Sequence, residues 1–272
     1  MNACDLALAN INAIKPYQPG KPIDELEREL GISNIIKLAS NENPLGPSKL
    51  ALAAISKAAT DLTRYPDGNG FNLKAALAEQ TQLSASQITL GNGSNDVLEL
   101  LARTFVSSTD EVIFSQYAFA VYPLVTQAIG AKAVIAPATD FGYDLTAMAN
   151  CISDKTKLIF IANPNNPTGT VLAPEQIAAF LVQVPDTVIV VLDEAYVEYT
   201  QQTTDSVAWL KKYSNLVITR TFSKAYGLAA LRVGYSLSSP DIADLLNRIR
   251  QPFNVNSLAL AAAIATLTDH DY

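Results

Sequence analysis

Short apolar runs rich in β-branched residues alternate along the chain with longer stretches whose apolar positions recur at helical spacing. The runs predict strands at Ile35–Ala39, Gln87–Leu90, Glu111–Ser115, Ala133–Ala136, Leu158–Ala162, Val188–Leu192, Leu216–Thr219 and Arg232–Leu237. The stretches between them predict helices at Ser48–Ala59, Leu73–Gln80, Ser94–Phe105, Ala118–Ile129, Leu145–Asn150, Pro174–Val182 and Val207–Tyr213. A run such as Val188-Ile-Val-Val-Leu192 has no polar face, which suits a strand covered on both sides. Strands alternating with helices predict an open, mostly parallel α/β sheet.

Local punctuation agrees with these spans. Pro174 stands where a first-turn helix proline would stand, and Gly31 closes a short helix at Asp24–Leu30. Ser84-Ala-Ser-Gln87 fits either a turn or a capping box. Residues 1–47 read differently. Pro16, Pro19, Pro22, Pro44 and Pro47 predict an extended arm with one short helix. Near the end, Asp241–Arg250 and Ser257–Thr268 read as two helices separated by a Pro-Phe-Asn break, the second Ala-rich and apolar enough to pack against a neighbour.

Composition narrows the class. Of 272 residues 49% are hydrophobic and 17% charged, enough for a large core and unlike a disordered chain. A net charge of −7 argues against a nucleic-acid surface, while leaving room for a local phosphate pocket. His270 is the only histidine, which argues against zinc sites and triads built on imidazole. Acid–base chemistry then falls to Lys, Asp, Glu or Tyr. Cys4 and Cys151 form no metal-type cluster and read as two free thiols in a reducing compartment. Met1–Asn10 lacks the basic start of a signal peptide, and the longest apolar run, Leu258–Ala265, is too short to span a bilayer. The expectation is a soluble, cytoplasmic protein with no membrane or nucleic-acid partner.

Ligands of open α/β sheets bind at the carboxyl ends of the strands. After Gln87–Leu90 comes Gly91-Asn-Gly-Ser-Asn95 and then a helix, a pattern that offers backbone N–H groups to an anion or is a bare turn. After Leu158–Ala162 comes Asn163-Pro-Asn-Asn-Pro-Thr-Gly169, a proline-stiffened loop that presents Asn166 or caps its own backbone. After Val188–Leu192 comes Asp193-Glu-Ala-Tyr196, a carboxylate that needs a cation, from protein or ligand. After Leu216–Thr219 comes Arg220-Thr-Phe-Ser-Lys224, a lysine that is a surface residue or a desolvated nucleophile. None decides alone. Together they place a phosphate cradle, an amide, a carboxylate and an amine on successive strand ends, which are the needs of pyridoxal phosphate.

The Asn-Pro-Asn-Asn-Pro-Thr-Gly loop, Asp193 with Tyr196, and Ser223-Lys224 with Arg232 downstream resemble the fold type I aminotransferases. Lys15-Pro-Tyr-x-Pro-Gly-Lys21, Leu38-Ala-Ser-Asn-Glu-Asn-Pro-Leu-Gly-Pro47, Arg64-Tyr-Pro-Asp67 and Arg250-Gln-Pro-Phe-Asn-Val-Asn256 resemble, among these, the histidinol-phosphate aminotransferases. The likeness runs from about Ile14 to Leu267. It implies an α/β fold with a mostly parallel seven-stranded sheet flanked by helices. Residues 1–47 would form an arm and part of a small domain, 48–250 the large cofactor-binding domain, and 251–272 the start of the remaining small domain.

The same resemblance implies that Lys224 forms the Schiff base with pyridoxal phosphate and that Asp193 pairs with the pyridinium nitrogen. Tyr196 and Asn166 would reach the ring hydroxyl. Gly93, Ser94, Asn95, Thr221, Ser223 and Arg232 would hold the phosphate, and Tyr117 would stack on the ring. Tyr65 would reach the phosphate in a neighbouring subunit, which implies a homodimer with shared sites. Tyr17 and Asn43 would touch substrate. The implied reaction transfers an amino group between histidinol phosphate and 2-oxoglutarate, a step of histidine biosynthesis. No metal is implied.

The sequence departs from the family in one respect. The family's C-terminal segment, with its arginine for the substrate's anionic group, is not among the 272 residues. The expectation is weak cofactor binding and slow turnover by the 272-residue chain. Competing readings are an aromatic aminotransferase or phosphothreonine decarboxylase of the same fold, and a non-catalytic cofactor-binding fragment. A dinucleotide site is set aside, because Asp96 occupies the third glycine position of that fingerprint.

Overall fold

The computed structural model describes residues 2–18, 20–200 and 205–272, so Met1 of the N-terminal segment and Pro19 of the expected arm lie outside the described residues. Nine strands are present among them: β1 (Ile88–Gly91), β2 (Glu111–Ser115), β3 (Lys132–Ala136), β4 (Ala138–Thr139), β5 (Gly142–Tyr143), β6 (Thr156–Ala162), β7 (Ile189–Asp193), β8 (Leu216–Thr221) and β9 (Gly234–Leu237). Seven form one sheet in the order β1-β9-β8-β7-β6-β2-β3, and β4 pairs with β5 in a separate hairpin. Only β9 runs antiparallel to its neighbours β1 and β8; every other pairing in the large sheet is parallel. The expected mostly parallel seven-stranded sheet is therefore what the chain forms.

The central strands are apolar on both faces because helices cover both. Leu158, Phe160, Val190, Val191, Leu216, Val217 and Ile218 are buried. Removing a side chain of this kind from water is worth about 1.5–3 kcal/mol. The helix Ser94–Phe105 turns Val97, Leu98 and Leu101 into the core and caps its start against β9. Gly234 makes that close approach possible, since a Cβ there would collide with the backbone of Gly93 and Ser94. The Ala-rich helix Ser257–Leu267 packs on Lys49–Ala58 and buries Ala259, Ala262 and Ala263.

Several expected elements differ, and the helix expected at Ala118–Ile129 starts only at Val121. Ile35–Ala39 is not a strand: Ile36 and Leu38 are 82% and 89% exposed, and no sheet edge offers their backbone partners. The last strand starts at Gly234 and not at Arg232, because Arg232 sits in the left-handed region at φ 54°. The helix expected at Val207–Tyr213 is a single turn, Ser206–Trp209, followed by tight turns into β8. The β4–β5 hairpin was not expected, as two-residue strands leave no periodic signal. Gly31 is a left-handed helix cap, Pro174 is in the first turn of its helix, and Ser84 and Gln87 form a capping box on a short 3-10 turn. No helix among the described residues is long and apolar enough to cross a membrane.

Candidate cofactor and substrate site

The carboxyl ends of β1, β6, β7 and β8 open into one cavity of about 510 Å³. Its first corner is an anion cradle. The chain leaves β1 through a turn in which Gly93 N–H donates to Gly91 O at 2.8 Å, and enters the helix Ser94–Phe105. Gly93 has φ 81°, and the space where a Cβ would stand is filled by the Arg232 guanidinium. Ser94 and Asn95 line the cavity at the helix start, where unpaired N–H groups and the helix dipole favour an anion. Arg232 Nη1 donates to Ser223 Oγ at 3.3 Å and to Ala229 O at 3.0 Å. Thr221 Oγ1 in turn accepts from Ser223 N–H at 3.1 Å. Among the described residues Arg232 makes no ion pair with a carboxylate. Its charge is free for a ligand.

The opposite corner is acidic. Asp193 ends β7 and is only 3% exposed. Tyr122 Oη donates to its Oδ2 at 2.8 Å, and Thr219 Oγ1, across the β7–β8 ladder, donates to Oδ1 at 3.0 Å. Burial pushes the Asp193 carboxyl above its ordinary range, and the two hydroxyl donors and the Ala195 N–H pull it back. Its neighbour Glu194 is a different case, held by Arg220 at 2.8 Å on the far side of the strand end. A buried carboxylate with donors and no cation suits a cationic ligand atom.

Lys224 stands between the corners, after β8. Its Nζ donates to Ser40 O at 2.9 Å and lies 5.6 Å from the centre of the Tyr196 ring. Burial lowers its pKa; Glu42 opposes that shift and Arg232 adds to it. Tyr196 Oη accepts from Asn41 Nδ2 at 3.0 Å. Asn166 lines the cavity from the loop after β6. That loop is held by its own amides: Asn163 Oδ1 accepts from Leu172 N–H at 2.8 Å, and Asn165 Nδ2 donates to Tyr117 O at 2.9 Å.

The remaining expected residues are placed as follows. Tyr17 lines the cavity from the arm. Asn43 is tied into the local structure, its Nδ2 donating to Ala225 O at 2.7 Å and to Tyr272 Oη at 3.0 Å. The Tyr117 ring leans on Phe141 with centroids 5.3 Å apart, and the wall beyond β2 is made by Phe119, Ala120 and Val121. Tyr65 lies outside the cavity, stacked on Phe253 at 4.8 Å and 82% exposed. Sequence reasoning missed Ser40, Asn41, Tyr122 and Thr219. Ser40 and Asn41 lie within a quoted motif, but all four contacts arise only when distant segments meet.

The model of the family described as aminotransferase class I and II matches residues 33–272. The chain belongs to that family. It is 61% identical to histidinol-phosphate aminotransferase 1 of Idiomarina loihiensis, over 100% of this chain and 74% of that protein. It is 62% identical to histidinol-phosphate aminotransferase 2 of Pasteurella multocida, over 99% of this chain and 74% of that protein. Among solved structures, the histidinol-phosphate aminotransferase of Sinorhizobium meliloti in complex with pyridoxal-5'-phosphate superimposes with a TM-score of 0.88 at 32% identity, covering 97% of this chain and 71% of that one. As an aminotransferase of this family the chain uses pyridoxal phosphate. The free Arg232 guanidinium filling the hollow at Gly93, the cation-seeking Asp193 and the Lys224 amine between them fit that cofactor's phosphate, ring nitrogen and aldehyde.

Proposed function

We propose that this aminotransferase moves an amino group between histidinol phosphate and 2-oxoglutarate, in the cytoplasm, as a step of histidine biosynthesis. The observation that carries the reading is one cavity holding an amine, a buried carboxylate and an anion cradle at separate corners. The first of the names and motifs that favour this substrate are those of the relatives at about 60% identity. Bound pyridoxal phosphate supplies an electron sink for charge that develops at the substrate's α-carbon.

The chain's own residues do the rest. The Lys224 amine, eased toward neutrality by burial, is the group that would hold the cofactor covalently. When free, the same amine would move a proton at the substrate's α-carbon, as general base and then as general acid. Asp193 would hold the ring nitrogen's proton through a charge-assisted bond, a class worth about 1.5–3 kcal/mol. Tyr196 and Asn166 would bind the ring hydroxyl. Gly93, Ser94, Asn95, Thr221, Ser223 and Arg232 would bind the phosphate, with Tyr117 toward the ring. Tyr17 and Asn43 would contact the substrate from the arm. The exposed Tyr65 reaches the cofactor phosphate of a partner subunit, so the working unit is a homodimer.

A substrate panel tests the reading. With 2-oxoglutarate as acceptor, kcat/KM should be highest for histidinol phosphate, ahead of aromatic amino acids. Release of carbon dioxide from phosphothreonine, with no product oxo acid, would overturn it. The visible band of bound cofactor should vanish in Lys224→Ala.

A further inference from the structure

Tyr122 is no part of the motifs that point to the site and does not line the cavity, yet it is held firmly against Asp193, which does. Its ring is fully buried and lies flat on Phe160, with centroids 4.5 Å apart and planes at 3°. Phe119 closes it from the edge at 5.8 Å and 89°. Clamped in this way, the phenol has one direction for its hydroxyl, and that direction is Asp193 Oδ2 at 2.8 Å. Burial and the charge of Asp193 both push the Tyr122 hydroxyl well above its ordinary range, so it stays protonated and remains a donor.

The position of one proton depends on this donor. A carboxyl facing a pyridine nitrogen can hold the proton on oxygen, leaving a neutral pair, or release it to nitrogen, leaving a carboxylate and a pyridinium. A dry wall favours the neutral pair, because burial penalises charge. Only the second state gives the ring its electron-withdrawing power. An O–H donated to the carboxyl stabilises its anionic form selectively, and so makes it the weaker base. Besides Tyr122, Thr219 Oγ1 and the Ala195 N–H also stabilise the Asp193 carboxylate, while the other polar groups nearby have different partners. Tyr143 Oη is engaged with Ala162 N–H at 3.0 Å, Tyr196 Oη with Asn41 at 3.0 Å, and Glu194 with Arg220 at 2.8 Å.

We propose that Tyr122 is a positioning residue that, through its hydrogen bond to Asp193 and with Thr219 on the other oxygen, keeps the shared proton on the cofactor's ring nitrogen. The inference rests on the pyridoxal-phosphate reading of the site. Phenylalanine at 122 would keep the stack on Phe160 and remove only the donor, so the hydroxyl is separable from packing.

The test is Tyr122→Phe loaded with pyridoxal phosphate labelled with nitrogen-15 in the ring, compared with the wild-type chain by NMR across neutral pH. The ring-nitrogen resonance should move toward its unprotonated position. The kcat should fall about tenfold, the effect of a one-unit change in relative basicity, with KM for the amine unchanged. Thr219→Val should shift the resonance in the same direction, and it decides the matter if the phenylalanine variant fails to fold. Wild-type resonance and kcat in the variants would overturn the proposal. So would a loss of thermal stability with an unmoved resonance, since that assigns Tyr122 a packing role. A wild-type chain that takes up no cofactor would fail differently, by removing the pyridoxal-phosphate reading itself.

Discussion

At Gly93 the backbone conformation and the charge of the cradle are one problem. A side chain there would be strained at φ 81° and would also displace the guanidinium of Arg232. With ψ at 164° this is a region essentially confined to glycine, and holding another residue there costs about 1–3 kcal/mol. Gly93→Ala should therefore weaken pyridoxal-phosphate binding about tenfold or more in a fluorescence titration, and unchanged affinity would rule the cradle out. Lys224 offers a second residue-scale prediction, with a sign. Its folded pKa lies below that of an ordinary lysine because burial outweighs Glu42, which acts to raise it. Removing that carboxylate lowers the pKa further. In Glu42→Gln the pH profile of cofactor uptake, which requires neutral amine, should shift to lower pH. A shift to higher pH, or none, would contradict the electrostatic assignment. Lys224 and Asp193 were legible in the sequence, because each follows a strand end in a recognisable string. Tyr122 and Thr219 were not. Tyr122 reads as one more aromatic residue at the start of an apolar helix, and its meeting with Asp193 is a tertiary event.

Element boundaries follow the same logic. β2 and the helices Ser94–Phe105 and Leu145–Asn150 match their predicted spans, since each joins a continuous apolar pattern to a clear turn. In the arm, the short apolar run Ile35–Ala39 mimics a strand, while strand formation needs a neighbour. The cradle also depends on an element that carries no chemistry. Asn256 caps the helix Ser257–Leu267, its Oδ1 accepting from Ala259 N–H at 2.8 Å. Its Nδ2 donates at 3.1 Å to Leu231 O, the residue before Arg232. Asn256→Ala should cost about 0.5–2 kcal/mol of stability in urea denaturation, the usual range for a lost cap. It should also loosen the Arg232 turn and weaken cofactor retention. Loss of stability with wild-type cofactor affinity would show that the tie to Leu231 is not transmitted.

At the scale of the whole molecule, the role proposed for Tyr65 calls for a second copy of the chain. It is 82% exposed, lies outside the cavity of its own chain, and stacks on Phe253, itself 45% exposed. Apolar surface of this kind favours burial at an interface. A two-fold dimer would let each Tyr65 serve the other subunit's phosphate cradle, whereas Lys224 serves its own. The two residues can be separated by mixing. Lys224→Ala and Tyr65→Ala should each be nearly inactive as homodimers. In a heterodimer of the two, one site carries both lesions and the other carries neither. With random assortment half the dimers are mixed, so an equal mixture refolded together should recover roughly a quarter of wild-type activity. The same mixture combined without refolding should recover almost none. Activity equal to the sum of the separate variants, or a monomeric mass in sedimentation at micromolar concentration, would exclude shared sites and place Tyr65 outside the chemistry.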